Sequence, residues 1–168
     1  MPRLGKKGTV QDLLFLAIVI AVFSIGTIMV FRVSNDLNTK FQASPLLDSY
    51  GKAAFSQIND QYPGIIDNVF ILLVVGLSLV AIVLAAMVRY HPIFIAFFII
   101  IFFIIIVLAG IFSNIYQKIA QEPSMAAVAS QLTFTNHLMN LLPWFVAIFG
   151  GVLAVVMYKT WRMDSSDY

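Results

Sequence analysis

Four uninterrupted apolar runs constrain this chain more than any other feature. Leu13–Phe31 holds nineteen residues without a charge, Val69–Val88 twenty, Ile93–Phe112 twenty and Leu141–Tyr158 eighteen. A helix rises about 1.5 Å per residue, so about twenty residues cross the roughly 30 Å hydrocarbon layer of a bilayer. A closed β-barrel is the other spanning solution, because it too satisfies every backbone group internally. Barrel strands are about ten residues long and alternate in polarity, whereas 101–106 reads Ile-Phe-Phe-Ile-Ile-Ile. The expected fold is an all-α integral membrane protein, a single membrane domain over 1–168 with four transmembrane helices. These are placed at 13–32, 69–88, 93–112 and 141–158, with a tail at 159–168.

The totals agree. With 61% of residues apolar, 11% charged and a mean hydropathy of +0.94, a chain of 168 residues could not hide its apolar surface from water. A soluble globule, a disordered chain and a nucleic-acid-coating protein are excluded. Ten Lys+Arg against eight Asp+Glu leave a net charge of +2, so the basic pI reflects scarce charge rather than a basic patch. There is no cysteine, which removes disulfides, thiolate metal sites and Cys nucleophiles.

The first run follows Arg3, Lys6 and Lys7. It is too long for the apolar core of a cleaved signal peptide and has no small-x-small site after it. Lys6-Lys7-Gly8 ahead of the run, with Asp12 near its start, resembles a pilin-like processing site over about seven residues. The expected Glu is missing and three more spans follow, so the reading that fits the whole chain is an uncleaved signal anchor. With the N-terminus cytoplasmic, the inner side carries Arg3, Lys6, Lys7, Arg89, Lys159 and Arg162, and the outer side Arg32, Lys40, Lys52 and Lys118. This bias places both termini on the cytoplasmic or interior side, of a cell membrane or a virion internal membrane.

The connections differ in kind. Arg89-Tyr90-His91-Pro92 alone joins the second and third spans, which predicts a tight antiparallel central hairpin, with Pro92 opening the third helix. The first outer connection, 33–68, is expected to hold an amphipathic interfacial helix over about 45–58. Ser44-Pro45 makes a helix start, and Leu47, Tyr50, Ala54 and Ile58 follow at helical spacing. Pro63-Gly64 would end it, leaving Asp67 in the first turn of span two, where the helix dipole favours an acid. In the second outer connection, 113–140, Met125, Val128, Leu132, Thr135, Met139 and Leu142 recur every three or four residues. That spacing predicts an amphipathic helix over about 123–140 lying on the outer membrane face. Tyr90, Trp144, Tyr158 and Trp161 are the expected interfacial anchors.

Chemistry is thinly supplied. No charge lies inside the four runs, whose polar residues are Ser24, Thr27 and Ser78, with Tyr158 at an edge. Such hydroxyls usually bond the carbonyl one turn back. His91 and His137 would lie on opposite sides of the membrane and could not share a metal. Ser130 and His137 are two turns apart, about 10 Å along a helix. There is no HExxH motif and no phosphate-binding glycine loop. No catalytic, cofactor or metal residue is therefore assigned.

Packing remains. Ala17, Ala21 and Ser24 make a small-residue stripe on span one, Ala81 and Ala85 on span two, and Ala147 with Gly151 and Gly150 with Ala154 make overlapping small-xxx-small pairs on span four. Small residues let helices approach closely in lipid. Span three is nearly all Phe and Ile over 94–107, and is expected to face lipid widely. The leading expectation is a non-enzymatic polytopic structural or assembly protein, of the class of virus- or phage-encoded virion membrane proteins. It would pack laterally as a homo- or hetero-oligomer and meet membrane or capsid-type proteins through its outer amphipathic helices. A holin-like or pore-forming oligomer and an accessory subunit of a transport or respiratory complex are the alternatives. The lipid bilayer is the expected partner throughout, and nucleic acid is not one.

Overall fold

In the computed structural model, which describes residues 9–87 and 92–165, helices follow one another and no strand occurs among the described residues. They are α1 (Thr9–Ala43), α2 (Ser49–Met87), α3 (Pro92–Ala120), α4 (Ala126–Ala129), α5 (Thr133–Asn140) and α6 (Leu142–Ser165). Four of them, over Gln11–Ala43, Ser49–Met87, Ile93–Ala120 and Leu142–Thr160, are long and apolar enough to cross a membrane. The chain is an all-helical integral membrane protein.

α1 and α2 are far longer than a span requires, because the first outer connection is mostly helix. α1 runs eleven residues past Arg32 to Ala43, about 16 Å of helix. The start expected at Ser44-Pro45 is displaced to Ser49. The Ser44 hydroxyl accepts the Leu46 N–H at 3.2 Å inside the turn, while the Asp48 carboxylate accepts the Gly51 N–H at 2.8 Å and caps α2. Nor does Pro63-Gly64 end a segment. α2 passes through Pro63, which is buried. Proline has no N–H to give the Asn59 carbonyl, but buried positions Asn59, Pro63, Phe70, Val74, Ala81 and Ala85 recur at fours and sevens along α2. One continuous packed face outweighs one lost hydrogen bond. The helix expected over 45–58 is therefore the first part of α2, standing beside α1 as an antiparallel hairpin.

That hairpin keeps one register. Phe41 meets Phe55 at 4.4 Å, Phe31 stacks on Tyr62 at 5.0 Å and Phe23 on Phe70 at 5.2 Å. Between the first two pairs, Asn59 Nδ2 donates to Asn35 Oδ1 at 3.2 Å and Ser34 Oγ to Asn59 Oδ1 at 3.3 Å. Nearer the tip, Gln42 donates to the Lys52 carbonyl at 2.7 Å.

The bundle closes in the order α2–α1–α3–α6. α1 packs along α2 and α3, and α6 along α3 and α2, while α2 and α3 barely touch among the described residues. Residues 88–91 lie outside the description, and with them the central turn, Tyr90 and His91. Their helices nonetheless stand across the bundle diagonal rather than side by side. Packing against α1 and α6, rather than position next to one another in the chain, sets which helices are neighbours. α1 is the most enclosed span and α3 the least, and much of the Phe- and Ile-rich surface of α3 is exposed on the outside of the bundle.

The second outer connection is built differently from its expected single helix. α3 continues to Ala120, and the stretch expected as one helix over 123–140 divides into α4 and α5, broken between Ser130 and Leu132. Ser130 Oγ turns back to the Ala127 carbonyl at 3.0 Å. The periodic stripe is real, but it points inward: Val128, Leu132, Thr135, Met139 and Leu142 are all buried. α5 packs on α1, α2 and α3, so its apolar face is covered by the protein's own helices rather than by a membrane surface.

Candidate functional site

The most elaborate polar arrangement sits where α5 meets α2. Asp67 lies well inside α2, not in a first turn. Its Oδ2 accepts the Phe134 N–H at 2.8 Å, and its Oδ1 accepts the Thr135 N–H at 3.1 Å and the Thr135 hydroxyl at 2.7 Å. Thr133 opens α5, so these are first-turn N–H groups with no partner inside their own helix. An acid from one helix thus caps another, and the α5 dipole favours the negative charge there. Leu132, at the N-cap position of α5, has no side chain able to do this.

Aromatic rings close the junction. Phe70, one turn beyond Asp67, meets Phe134 edge-on at 6.0 Å and stacks on Phe23. Tyr116 of α3 is fully buried, lies within electrostatic reach of Asp67, and its hydroxyl makes no hydrogen bond among the described residues. Arg32 clasps the adjoining turn, with Nε on Asp36 at 3.0 Å and Nη1 on the Ser124 carbonyl. Four segments are thereby fastened together near the hairpin end.

The small-residue positions divide into two groups. Ala17, Ala21 and Ser24 are buried on α1, and Ala81 and Ala85 on α2. Ser24 Oγ bonds the Ile20 carbonyl at 2.7 Å, one turn back, whereas the buried Ser78 hydroxyl finds no partner among the described residues. On α6, the Phe102 ring of α3 fills the space where a Cβ on Gly150 would stand, while a Cβ on Gly151 would meet nothing within 4 Å. Ala147, Gly151 and Ala154 are half-buried. Within the chain, the close α3–α6 approach is made at Gly150. Of the anchors, Trp144 and Tyr158 are exposed near the two ends of α6, and Tyr90 and the Trp161 side chain lie outside the described residues.

Among the described residues, no three His, Asp or Glu side chains gather as metal ligands. His137 stands in the last turn of α5 with Ser130 beyond the break, so the two do not share one helix. Sequence reasoning missed Asp67 as a cap, the Asn35–Asn59 pair and the Arg32 clasp, all of which join residues distant along the chain. The period that runs through Pro63 and marks α2 as one helix is one of buried positions that include Asn59 and Pro63, so an apolar pattern in the sequence does not show it. No protein-family model, no curated protein and no solved structure matches this chain.

Proposed function

We propose that this protein is a non-enzymatic membrane scaffold that presents the tip of the α1–α2 hairpin to a protein partner. The observation that carries this reading is the tip itself. Leu46 is 93% and Tyr50 85% exposed, at the end of a helical pair that stands about 16 Å beyond Arg32. A headgroup layer adds only about 5–7 Å to each side of the hydrocarbon, so these apolar side chains stand clear of the bilayer. The Phe41–Phe55 and Gln42–Lys52 contacts brace them, and a braced apolar tip loses little conformational freedom on docking. On the Lys/Arg distribution, we place this end on the side away from the cytoplasm, opposite both ends of the described chain.

Photo-crosslinking residues at Leu46 and Tyr50, introduced in the native membrane, test the proposal. A discrete protein adduct is expected at both positions, and its loss when Leu46 and Tyr50 are replaced by Ser. Adducts to lipid alone, or none, would remove the reading.

A further inference from the structure

The phenol of Tyr116 sits in the bundle in a way that packing alone does not explain. The side chain is fully buried, yet its hydroxyl has no hydrogen-bond partner among the described residues. Those residues include its whole neighbourhood. The undescribed ones adjoin Thr9, Met87, Pro92 and Ser165, at the opposite end of the four long helices. Pro92 is 24 residues along α3 from Tyr116, about 36 Å of helix. A phenol has both an O–H donor and acceptor lone pairs to satisfy, and burying a hydroxyl without a partner is costly. Phenylalanine would fill the same space without that cost.

The acceptor that the hydroxyl can use is Asp67. Its carboxylate and Tyr116 feel each other's charge, but the two make no direct hydrogen bond. Three donors already engage that carboxylate: the Phe134 N–H on Oδ2, and the Thr135 N–H and hydroxyl on Oδ1. A carboxylate offers about four lone-pair sites, so Oδ2 has one left. Ser113 and Gln117, beside Tyr116 along α3, are engaged with each other at 3.4 Å. A donor and an acceptor within electrostatic reach, but too far apart for a direct bond, have the spacing that one water bridges. A buried water needs at least two polar partners, and Tyr116 and Asp67 supply them. Asp67 is itself only half-buried, which gives the water a way in from the surface.

We propose that a single water molecule is bound between the Tyr116 hydroxyl and Asp67 Oδ2. It ties α3 into the cap that already joins α2 to α5. Because α2 and α3 barely touch among the described residues, this level of the bundle is held across its diagonal by α5 and the water together. The test uses the full chain in dodecyl maltoside micelles. Tyr116→Phe should lower the melting temperature by about 3 °C, although it removes only a hydroxyl. In an Asp67→Ala chain the same change should leave the melting temperature unchanged or raise it, since the water has lost its acceptor. A third measurement needs no change at Asp67. With carbon-13 ring-labelled tyrosine, the Tyr116 hydroxyl proton, assigned by its loss in Tyr116→Phe, should exchange slowly and show cross-relaxation with a long-lived water. If Tyr116→Phe leaves the melting temperature of the otherwise unaltered chain unchanged or raises it, the hydroxyl is dry and the proposal is overturned. Equal losses in both backgrounds would overturn it too, as would a hydroxyl proton whose contacts are with protein alone.

Discussion

Asp67 shows how much one side chain can hold in a membrane protein. Its three accepted hydrogen bonds join α2 to the first turn of α5, and bonds to a charged acceptor are worth about 1.5–3 kcal/mol each when a partner is removed. Asp67→Ala should lower stability by about 3 kcal/mol, and Asp67→Asn by less, read from thermal unfolding in detergent; hydrogen exchange should quicken first at Phe134 and Thr135. An unchanged melting profile in Asp67→Ala would deny the cap. Gly150 makes a second, sharper contrast. The Phe102 ring occupies its Cβ direction and open space that of Gly151, so Gly150→Leu should unfold or loosen the monomer while Gly151→Leu leaves it intact. Any effect of Gly151→Leu on particle size would then report contacts between copies. Small-xxx-small spacing on α6 was legible in the sequence, but which of two adjacent glycines meets a neighbour depends on where α3 stands.

The helices themselves were legible where apolar length alone decides, and obscured where two local signals compete. Ser44-Pro45 and Asp48 both mark helix starts, and the carboxylate three residues before Gly51 prevails. Asp48→Ala should therefore cost about 1 kcal/mol, while Ser44→Ala changes unfolding little; the reverse order would restore the earlier start. Pro63 reads locally as a breaker, yet the packed face of α2 carries through it. The stripe from Val128 to Leu142 was visible as amphipathic, but periodicity names an apolar face without saying what covers it. Here α1, α2 and α3 cover it, and the intervening Ser130–Leu132 break lets α4 and α5 follow the bundle.

At the scale of the whole molecule, helix adjacency is the property that the sequence did not reveal. The bundle order depends on side-chain fit along entire faces, such as Leu13, Leu16, Ile20 and Ile28 on α1 and Phe98, Ile105 and Ala109 on α3, rather than on loop length. The absence of cysteine makes this easy to check. A chain with Asn35→Cys and Asn59→Cys should cross-link efficiently on oxidation or with a short bismaleimide, because those side chains already touch at 3.2 Å. Failure of that pair would deny the hairpin register.

The diagonal placement of α2 and α3 also dictates an order of assembly during synthesis. α1 and α2 emerge first and can dock at once, since they share a long seam. α3 comes next and must travel around α1 instead of folding back on α2. Its other face stays uncovered until α6, made after it, bridges α3 to α2. A ribosome-bound chain ending near Ala120 would thus expose the α2 and α3 faces that α6 later covers. α6 acts as the keystone that turns a row of three spans into a closed ring.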